Sequence, residues 1–194
     1  MNPLQSIYDF LAKSDPVTSC DLVVALAGHP QRKSFALALF RQGRARRIIL
    51  STGRYEVRHT AEMMPEIAQE LLALRDATLP ENRHFWIDIS HEQTTVSRAS
   101  LSRVGTFEEL QAVAEHLKIQ PPRTLGLVST SIHLRRMRFC CSRIAFFRQI
   151  NVLFWPVPEV EAYPQRDGWW RSPAHRGYIC SEFVKLAGYY VVYR

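Results

Sequence analysis

Small, hydroxyl and cationic residues follow three apolar segments of the sequence, in a pattern that suits the binding of an anion. The three groups, in chain order, are Gly28, His29 and Arg32; Ser51, Thr52, Gly53 and Arg54; and Ser129, Thr130, His133 and Arg136. Free backbone N–H groups at helix starts attract an anion, and arginine adds paired donors that match phosphate oxygens. The pattern predicts a site for a phosphate-bearing ligand, although serine and threonine also act as ordinary helix caps.

In the third group, His133 and Arg136 are three positions apart, which places them on neighbouring points of one helix face. His133 is near the start of this predicted helix, where the dipole disfavours imidazolium and leaves a neutral general base. Arg136 would hold two oxygens of one phosphate, and Glu62, near the start of an earlier predicted helix, would act as acid or base. Each residue also has an alternative role. His133 could bond only to a carbonyl, Arg136 could be a solvated surface charge, and Glu62 could only complement a helix dipole.

Several common catalytic signatures do not occur in the sequence. It contains neither G-x-G-x-x-G nor G-x-x-x-x-G-K-[ST], which disfavours a typical NAD or ATP site, and it has no G-x-S-x-G nucleophile elbow. No carboxylate cluster suits a metal, so no bound metal is predicted. The cysteines, which are expected to be reduced, buried and inert, are Cys20, Cys140, Cys141 and Cys180.

Length and composition favour one ordinary globular domain spanning residues 1–194. The chain has 46% apolar and 22% charged residues. No apolar run approaches the roughly 18 residues that span a bilayer, and the N-terminus lacks the pattern of a secretory signal. We therefore expect a cytoplasmic protein without a membrane span. The net charge of +7 is concentrated in residues 131–194, which hold ten basic and four acidic residues.

Alternating strands and helices are predicted around these residues. The strands are predicted at 21–27, 47–51, 85–89, 124–129 and 151–155. About five alternations of strand and helix favour an α/β fold, a three-layer α/β/α sandwich with a mostly parallel sheet of about five strands. In such a sheet, ligands bind in the crevice beyond the carboxyl ends of the strands.

The helices between these strands follow from apolar spacing and capping residues. They are predicted to begin near Pro30, Ala61, Thr106, Ser131 and Ser181. The segment from Thr106 to Glu109 has the pattern of a capping box, and Ser131 is a candidate cap. Residues 90–105 show no hydrophobic periodicity, which predicts a long loop, and loops of this length are often functional. A helix is also expected within 1–20, and 156–194 should form a loop and a helix packed on the same domain.

The order and spacing of these groups resemble the YdcF-like family of bacterial proteins over most of the chain. The most specific segment, Val128-Ser129-Thr130-x-x-His133-x-x-Arg136, is similar to V-T-S-x-x-H-x-x-R. The other similar segments are Leu26-Ala27-Gly28 with Arg32, Ile48-Ile49-Leu50-Ser51-Thr52-Gly53, Ser102-x-x-x-Thr106-x-Glu108-Glu109, and the positions Trp170, Glu182 and Tyr189. The resemblance implies a Rossmann-like fold with a ligand or enzymatic site that includes Thr106. It implies no settled reaction.

These observations lead to one principal hypothesis and two alternatives. The principal one is a small-molecule-binding protein or enzyme for a phosphorylated or nucleotide-type ligand, acting by hydrolysis or transfer at a phosphate centre. The first alternative is an S-adenosylmethionine-binding protein. The second is a nucleic-acid or protein interaction module that uses the basic C-terminal third and its aromatic side chains. Without a recognition motif, any nucleic-acid binding should be nonspecific and sensitive to salt. The sequence names no cofactor.

Overall fold

The computed structural model describes residues 2–101, 103, 105–158 and 163–193. Within them, six strands form one sheet: β1 (Cys20–Ala25), β2 (Ala45–Gly53), β3 (His84–Ser90), β4 (Thr94–Arg98), β5 (Thr124–Ser129) and β6 (Asn151–Pro156). Their order across the sheet is β4-β3-β2-β1-β5-β6. β1 is parallel to β2 and β5, and β5 is parallel to β6, whereas β3 is antiparallel to both of its neighbours. The α/β class and the mostly parallel sheet are therefore confirmed.

Seven helices accompany the sheet in the same part of the chain. They are α1 (Pro3–Leu11), α2 (Pro30–Arg41), α3 (Val57–Met63), α4 (Pro65–Asp76), α5 (Thr106–Leu117), α6 (Leu134–Arg143) and α7 (Pro173–Val192). Proline occupies the first helical position of α1, α2, α4 and α7, where its missing N–H costs no hydrogen bond. None of the described helices is both long enough and apolar enough to cross a bilayer.

Alternate side chains of β1 belong to two separate apolar cores. Leu22 and Val24 pack with residues of α1, α5, α6 and α7, whereas Val23 and Ala25 pack with residues of α2, α3 and α4. Successive side chains of a strand point to opposite faces, so helices cover both faces of β1. This double burial explains why the strand is a continuous apolar run in the sequence.

The sheet differs from the prediction at β3 and β4. The segment 90–105, predicted as an aperiodic loop, contains the edge strand β4, which pairs with β3 alone and is largely exposed. Its sequence has a single apolar residue, Val96, so hydrophobic periodicity does not reveal it. The antiparallel direction of β3 also places its first residue, His84, opposite Gly53 at the carboxyl end of β2.

Two predicted helices have different boundaries in the structure. The single helix predicted from Ala61 is interrupted at Met64, whose backbone is not helical because the residue before a proline avoids helical angles. α3 and α4 lie on either side of this break. Ser131 does not cap a helix by its side chain: it begins a short 3-10 turn, Ser131–His133, and α6 starts only at Leu134.

The cysteines agree with the prediction except at one position. Cys20, Cys140 and Cys141 are free and buried, and burial raises the pKa of Cys20 to about 11 and that of Cys140 to about 12. These thiols are inert at neutral pH. Cys180 is exposed on α7, which begins at Pro173 rather than near Ser181 as predicted.

Candidate functional site

The carboxyl ends of β1, β2 and β5 lie at one edge of the sheet because the three strands are parallel. We call this edge, with the loops and helix starts that follow it, the carboxyl edge. The predicted residues that the structure brings to it are Gly28, Arg32, Ser51, Thr52, Gly53, Thr106, Ser129, Thr130, His133 and Arg136. Except for Thr52 and Arg32, they belong to two hydrogen-bonded groups, one around α5, α6 and α7 and the other around the ends of β1 and β2.

The first group is a chain of hydrogen bonds that begins at Ser129. The Ser129 hydroxyl lies 2.7 Å from His133 Nδ1, and His133 Nε2 lies 3.2 Å from Thr106 Oγ1. Arg136 Nη1 donates to the same Thr106 oxygen, while Arg136 Nε and Nη2 each donate to the Glu182 carboxylate at 3.0 Å. The chain thereby joins β5, α5, α6 and α7.

His133 is buried within this chain and is held in its neutral form. Burial lowers its pKa well below the ordinary value, and the nearby positive charges of Arg136, Arg32 and Lys185 act in the same direction. The neutral state agrees with the sequence expectation, but burial rather than a helix dipole is the main cause. Both ring nitrogens contact hydroxyl groups, so the imidazole is fixed in orientation.

Arg136 does not present the free guanidinium that the sequence suggested. Two of its nitrogens bind the Glu182 carboxylate side by side, and both side chains are largely buried. Lys185 adds a second cation at 3.0 Å from the same carboxylate. This pairing excludes a solvated arginine. It also occupies the planar donor pair within the protein, so the predicted phosphate contact of Arg136 stays a prediction that would require Glu182 to give way.

The second group contains a buried carboxylate that the sequence analysis assigned to a capping box. Glu109 accepts hydrogen bonds from the Ala27 N–H at 2.7 Å and from the Ser51 hydroxyl, and His84 Nε2 lies 2.6 Å from that hydroxyl. Burial by itself would raise the pKa of Glu109, but the contacts with His84, Ser51 and Ala27 outweigh it and hold the pKa below its usual value. Glu109 is therefore an ionised tie between α5 and the ends of β1 and β2.

The capping-box prediction fails because Thr106 is the first helical residue rather than the cap. Gly105 occupies the cap position, and Tyr189 of α7 accepts the Thr106 N–H through its hydroxyl oxygen. Glu109 is then free to point toward the sheet.

A second carboxylate, Glu56, bridges the ends of β1 and β2. One of its oxygens accepts the Gly28 N–H at 2.7 Å and the Lys33 ammonium at 2.9 Å, and the other accepts the Gly53 N–H at 2.9 Å. Lys33 is only 1% exposed. Burial lowers the pKa of Lys33, and the negative charge of Glu56 opposes this shift.

Arg32 lies between the two groups and keeps an unused donor. Its Nη1 donates to the Ala27 carbonyl at 2.7 Å and its Nη2 to Thr130 Oγ1 at 3.4 Å. The Nε atom is buried and has no hydrogen-bond partner among the described residues. Burial lowers the pKa of Arg32, although Glu109 and Tyr163 act in the opposite direction, and a guanidinium stays charged at neutral pH.

A narrow crevice lies beside Thr130, whose hydroxyl Arg32 contacts. Among the residues that line it are Thr130 and Ser131, Val157 and Pro158, which follow β6, and Tyr163.

Two predicted site residues have other surroundings. Glu62 is 62% exposed on α3 and pairs with Arg58 at 3.4 Å, so the structure does not bring it to either hydrogen-bonded group. Thr52 lies at the carboxyl edge, but its hydroxyl is buried and has no hydrogen-bond partner in the described part of the chain. Ser51 and Ser129 are fully buried, which leaves them as positioning groups rather than exposed nucleophiles.

Sequence reasoning missed Glu56, Lys33, Glu109 and His84. Glu56 and Lys33 had no motif to reveal them, because their partners are backbone amides and each other. His84 was visible only as a polar residue that weakened a predicted strand. Its position follows from the antiparallel direction of β3, which single-sequence periodicity does not report.

Comparisons with protein-family models, with curated proteins and with solved structures found no match. The resemblance to the YdcF-like family therefore stays a prediction. Of the segments that support it, Ser102 lies outside the described residues. Within those residues, no group of three or more His, Cys, Asp or Glu side chains is placed to hold a metal ion.

Proposed function

We propose that the protein has a Rossmann-like α/β/α arrangement and binds a small phosphorylated or nucleotide-type ligand in the crevice at the carboxyl edge. The observation that carries this proposal is the state of Arg32. Its guanidinium contacts Ala27 and Thr130 and keeps one buried N–H, at Nε, without a partner among the described residues. A buried donor left unpaired costs free energy, and an oxyanion of a ligand would remove that cost.

Further support comes from the position of Arg32 at the crevice. Thr130, which accepts a hydrogen bond from Arg32, lines that crevice, and so does Tyr163. A ligand held there would have a cation, a hydroxyl and an aromatic ring within one small space. These groups suit an anionic ligand that also carries a planar or apolar part.

The proposed reaction class is hydrolysis or transfer at the phosphate centre. His133 is neutral, as a general base requires, but its two ring nitrogens contact the Ser129 and Thr106 hydroxyls, so it acts as the base only when the substrate replaces one of these contacts. Arg136 acts on it through Thr106 and is therefore a positioning residue. The buried hydroxyls of Ser51 and Ser129 favour water or a second substrate as the nucleophile.

The test is a thermal-shift screen of the full chain with nucleotides, sugar phosphates, polyprenyl phosphates and adenosyl compounds. A ligand that binds only the folded state raises Tm. Arg32→Lys should weaken binding of any hit by at least about tenfold, since it removes a charge-assisted hydrogen bond. Arg47→Lys is the control for the same exchange away from the site, because Arg47 pairs with Asp88 near the start of β2.

Two results would contradict the proposal. One is a screen in which no phosphorylated compound raises Tm. The other is a hit whose affinity is the same in the parent and in Arg32→Lys. A hit confined to adenosyl compounds without phosphate would instead favour S-adenosylmethionine as the ligand.

A further inference from the structure

Glu56 occupies a set of donors that would suit an external anion. Two backbone N–H groups, from Gly28 and Gly53, and the Lys33 ammonium all point to its carboxylate at 2.7 to 2.9 Å. The donors come from the loop after β1, the end of β2 and the first turns of α2. Backbone amides combined with a lysine are a common arrangement for phosphate.

The same donors are adjacent to Arg32. Gly28 has a φ of 130°, and a Cβ atom added there would lie 2.8 Å from Arg32 Nη1. The close approach of backbone and guanidinium at this point requires glycine. A ligand held by Arg32 therefore lies next to the Gly28 N–H that Glu56 now occupies.

The Glu56 side chain can leave without disturbing the core. It is carried by a short exposed turn in which Tyr55 is 84% exposed, and Gly28 is exposed as well. The backbone of Glu56 is held separately, because its N–H donates to Gly53 and its carbonyl accepts from Thr60. Rotation of the side chain, which is 14% exposed, would release the Gly28 and Gly53 N–H groups and the Lys33 ammonium from the carboxylate.

We infer that the Gly28 N–H, the Gly53 N–H and the Lys33 ammonium form an anion subsite that Glu56 closes in the free protein and that a phosphate group of the ligand enters by displacing Glu56. The inference rests on the proposed function and extends it. Arg32 and this subsite would hold neighbouring anionic groups of one ligand. An enclosed, buried lysine then keeps an anionic partner in both states, first Glu56 and then the phosphate.

The experiment measures binding of inorganic phosphate to the full chain by calorimetry. Glu56→Ala should bind phosphate at least about tenfold more tightly than the parent, because the parent exposes the subsite only in a minor fraction of molecules. Glu62→Ala is the matched control: it removes a carboxylate from the same short segment, but one that contacts no backbone amide in the described structure. It should bind phosphate as the parent does.

A second readout keeps the test valid if Glu56→Ala folds poorly. Phosphate should then restore its circular dichroism and raise its Tm more than it does for the parent, since an anion replaces the missing carboxylate. Adding Lys33→Met to Glu56→Ala should abolish this gain. A Glu56→Ala chain that neither binds phosphate more tightly nor is stabilised by it would overturn the inference and leave Glu56 as a permanent tie between two loops.

The outcome separates this inference from the proposed function. If no compound of the screen binds the parent but Glu56→Ala gains phosphate affinity, the subsite exists and the proposed ligand class fails. If a nucleotide binds the parent through Arg32 but Glu56→Ala gains nothing, the proposed function holds and the subsite does not exist.

Discussion

Arg32 and Arg136 lie at the same edge of the sheet but differ in how their guanidinium groups are satisfied. Arg136 is bound side by side to Glu182 and also donates to Thr106, so each of its three nitrogens has a partner. Arg32 contacts a carbonyl and a distant hydroxyl, and its Nε has no partner within the described residues. All three nitrogens of Arg136 are satisfied within the protein, whereas Arg32 keeps one unpaired donor.

The same contrast separates the two halves of the carboxyl edge. On the side of α6 and α7, a buried ion pair and a neutral histidine are enclosed. On the side of β1 and β2, Glu56 lies beside exposed Gly28 and an exposed turn. An arginine near a strand end is thus a candidate ligand contact only when its own chain leaves a donor unpaired.

The largest loss of stability is expected from breaking the buried Arg136–Glu182 pair in the α6 and α7 half of the carboxyl edge, which we call the enclosed half. Glu182→Ala leaves the Arg136 guanidinium buried with only a hydroxyl partner, which should cost about 3 kcal/mol or more of unfolding free energy. Urea unfolding measures the change. Glu62→Ala, which removes an exposed carboxylate, should cost less than about 0.5 kcal/mol. A loss below about 1 kcal/mol in Glu182→Ala would show that the two halves do not differ in this way.

Exchanging arginine for lysine at both positions sharpens the comparison. Arg136→Lys should lower the unfolding free energy by about 1 to 3 kcal/mol, because lysine cannot bind Glu182 at two points, and it should leave ligand affinity unchanged. Arg32→Lys should lower the unfolding free energy less than Arg136→Lys does, and it should weaken ligand binding. Tm and affinity are measured on both variants with the same hit from the screen. Equal losses of affinity in the two variants would return Arg136 to the ligand site.

The third prediction concerns pH and the enclosed His133. Its pKa in the folded state lies below the unfolded value of about 6.5, so the unfolded chain binds more protons as the pH falls below that value. The contribution of neutral His133 to the unfolding free energy should be fully present above a pH of about 6.5. Below that pH it should decrease, by up to about 1.4 kcal/mol per pH unit. His133→Gln should reduce this slope. Unfolding curves of the parent and of His133→Gln between pH 5 and 8 test this, and an unchanged slope in His133→Gln would exclude this cause.

Much of the fold could be predicted from the sequence because burial on both faces produces a clear signal. β1 and β5 are covered on both sides, and their apolar runs mark them directly. β4 is an exposed edge strand and gives no such signal. The break between α3 and α4 had a local marker, Pro65, but the apolar spacing continues across it and predicts one helix.

The candidate site was predictable in its location but not in its charge pairing. Gly28, Ser51 and Ser129 lie at one edge of the sheet because β1, β2 and β5 are parallel, and alternating strands and helices in the sequence already predict parallel strands. The pairing of Arg136 with Glu182 joins residues 46 positions apart, and no spacing rule reports it. Glu109 shows the converse error, since a local motif explained a residue whose real partners are distant in the chain.

The smallest effect is expected from the hydroxyl group that Arg32 contacts. The Thr130 hydroxyl lies 3.4 Å from Arg32 Nη2, a long hydrogen bond, so Thr130→Val should change the unfolding free energy by less than about 0.5 kcal/mol. Thr106→Val is the counterpart in the enclosed half, where the hydroxyl contacts both His133 and Arg136, and it should cost about 1 to 2 kcal/mol. Ligand affinity should show the opposite order, because Thr130 lines the crevice and Thr106 is bound inside the protein. Urea unfolding and titration with one hit provide both values. If Thr130→Val were the more destabilising change, the hydroxyl would belong to the fold, and Arg32 would have less freedom to accept a ligand.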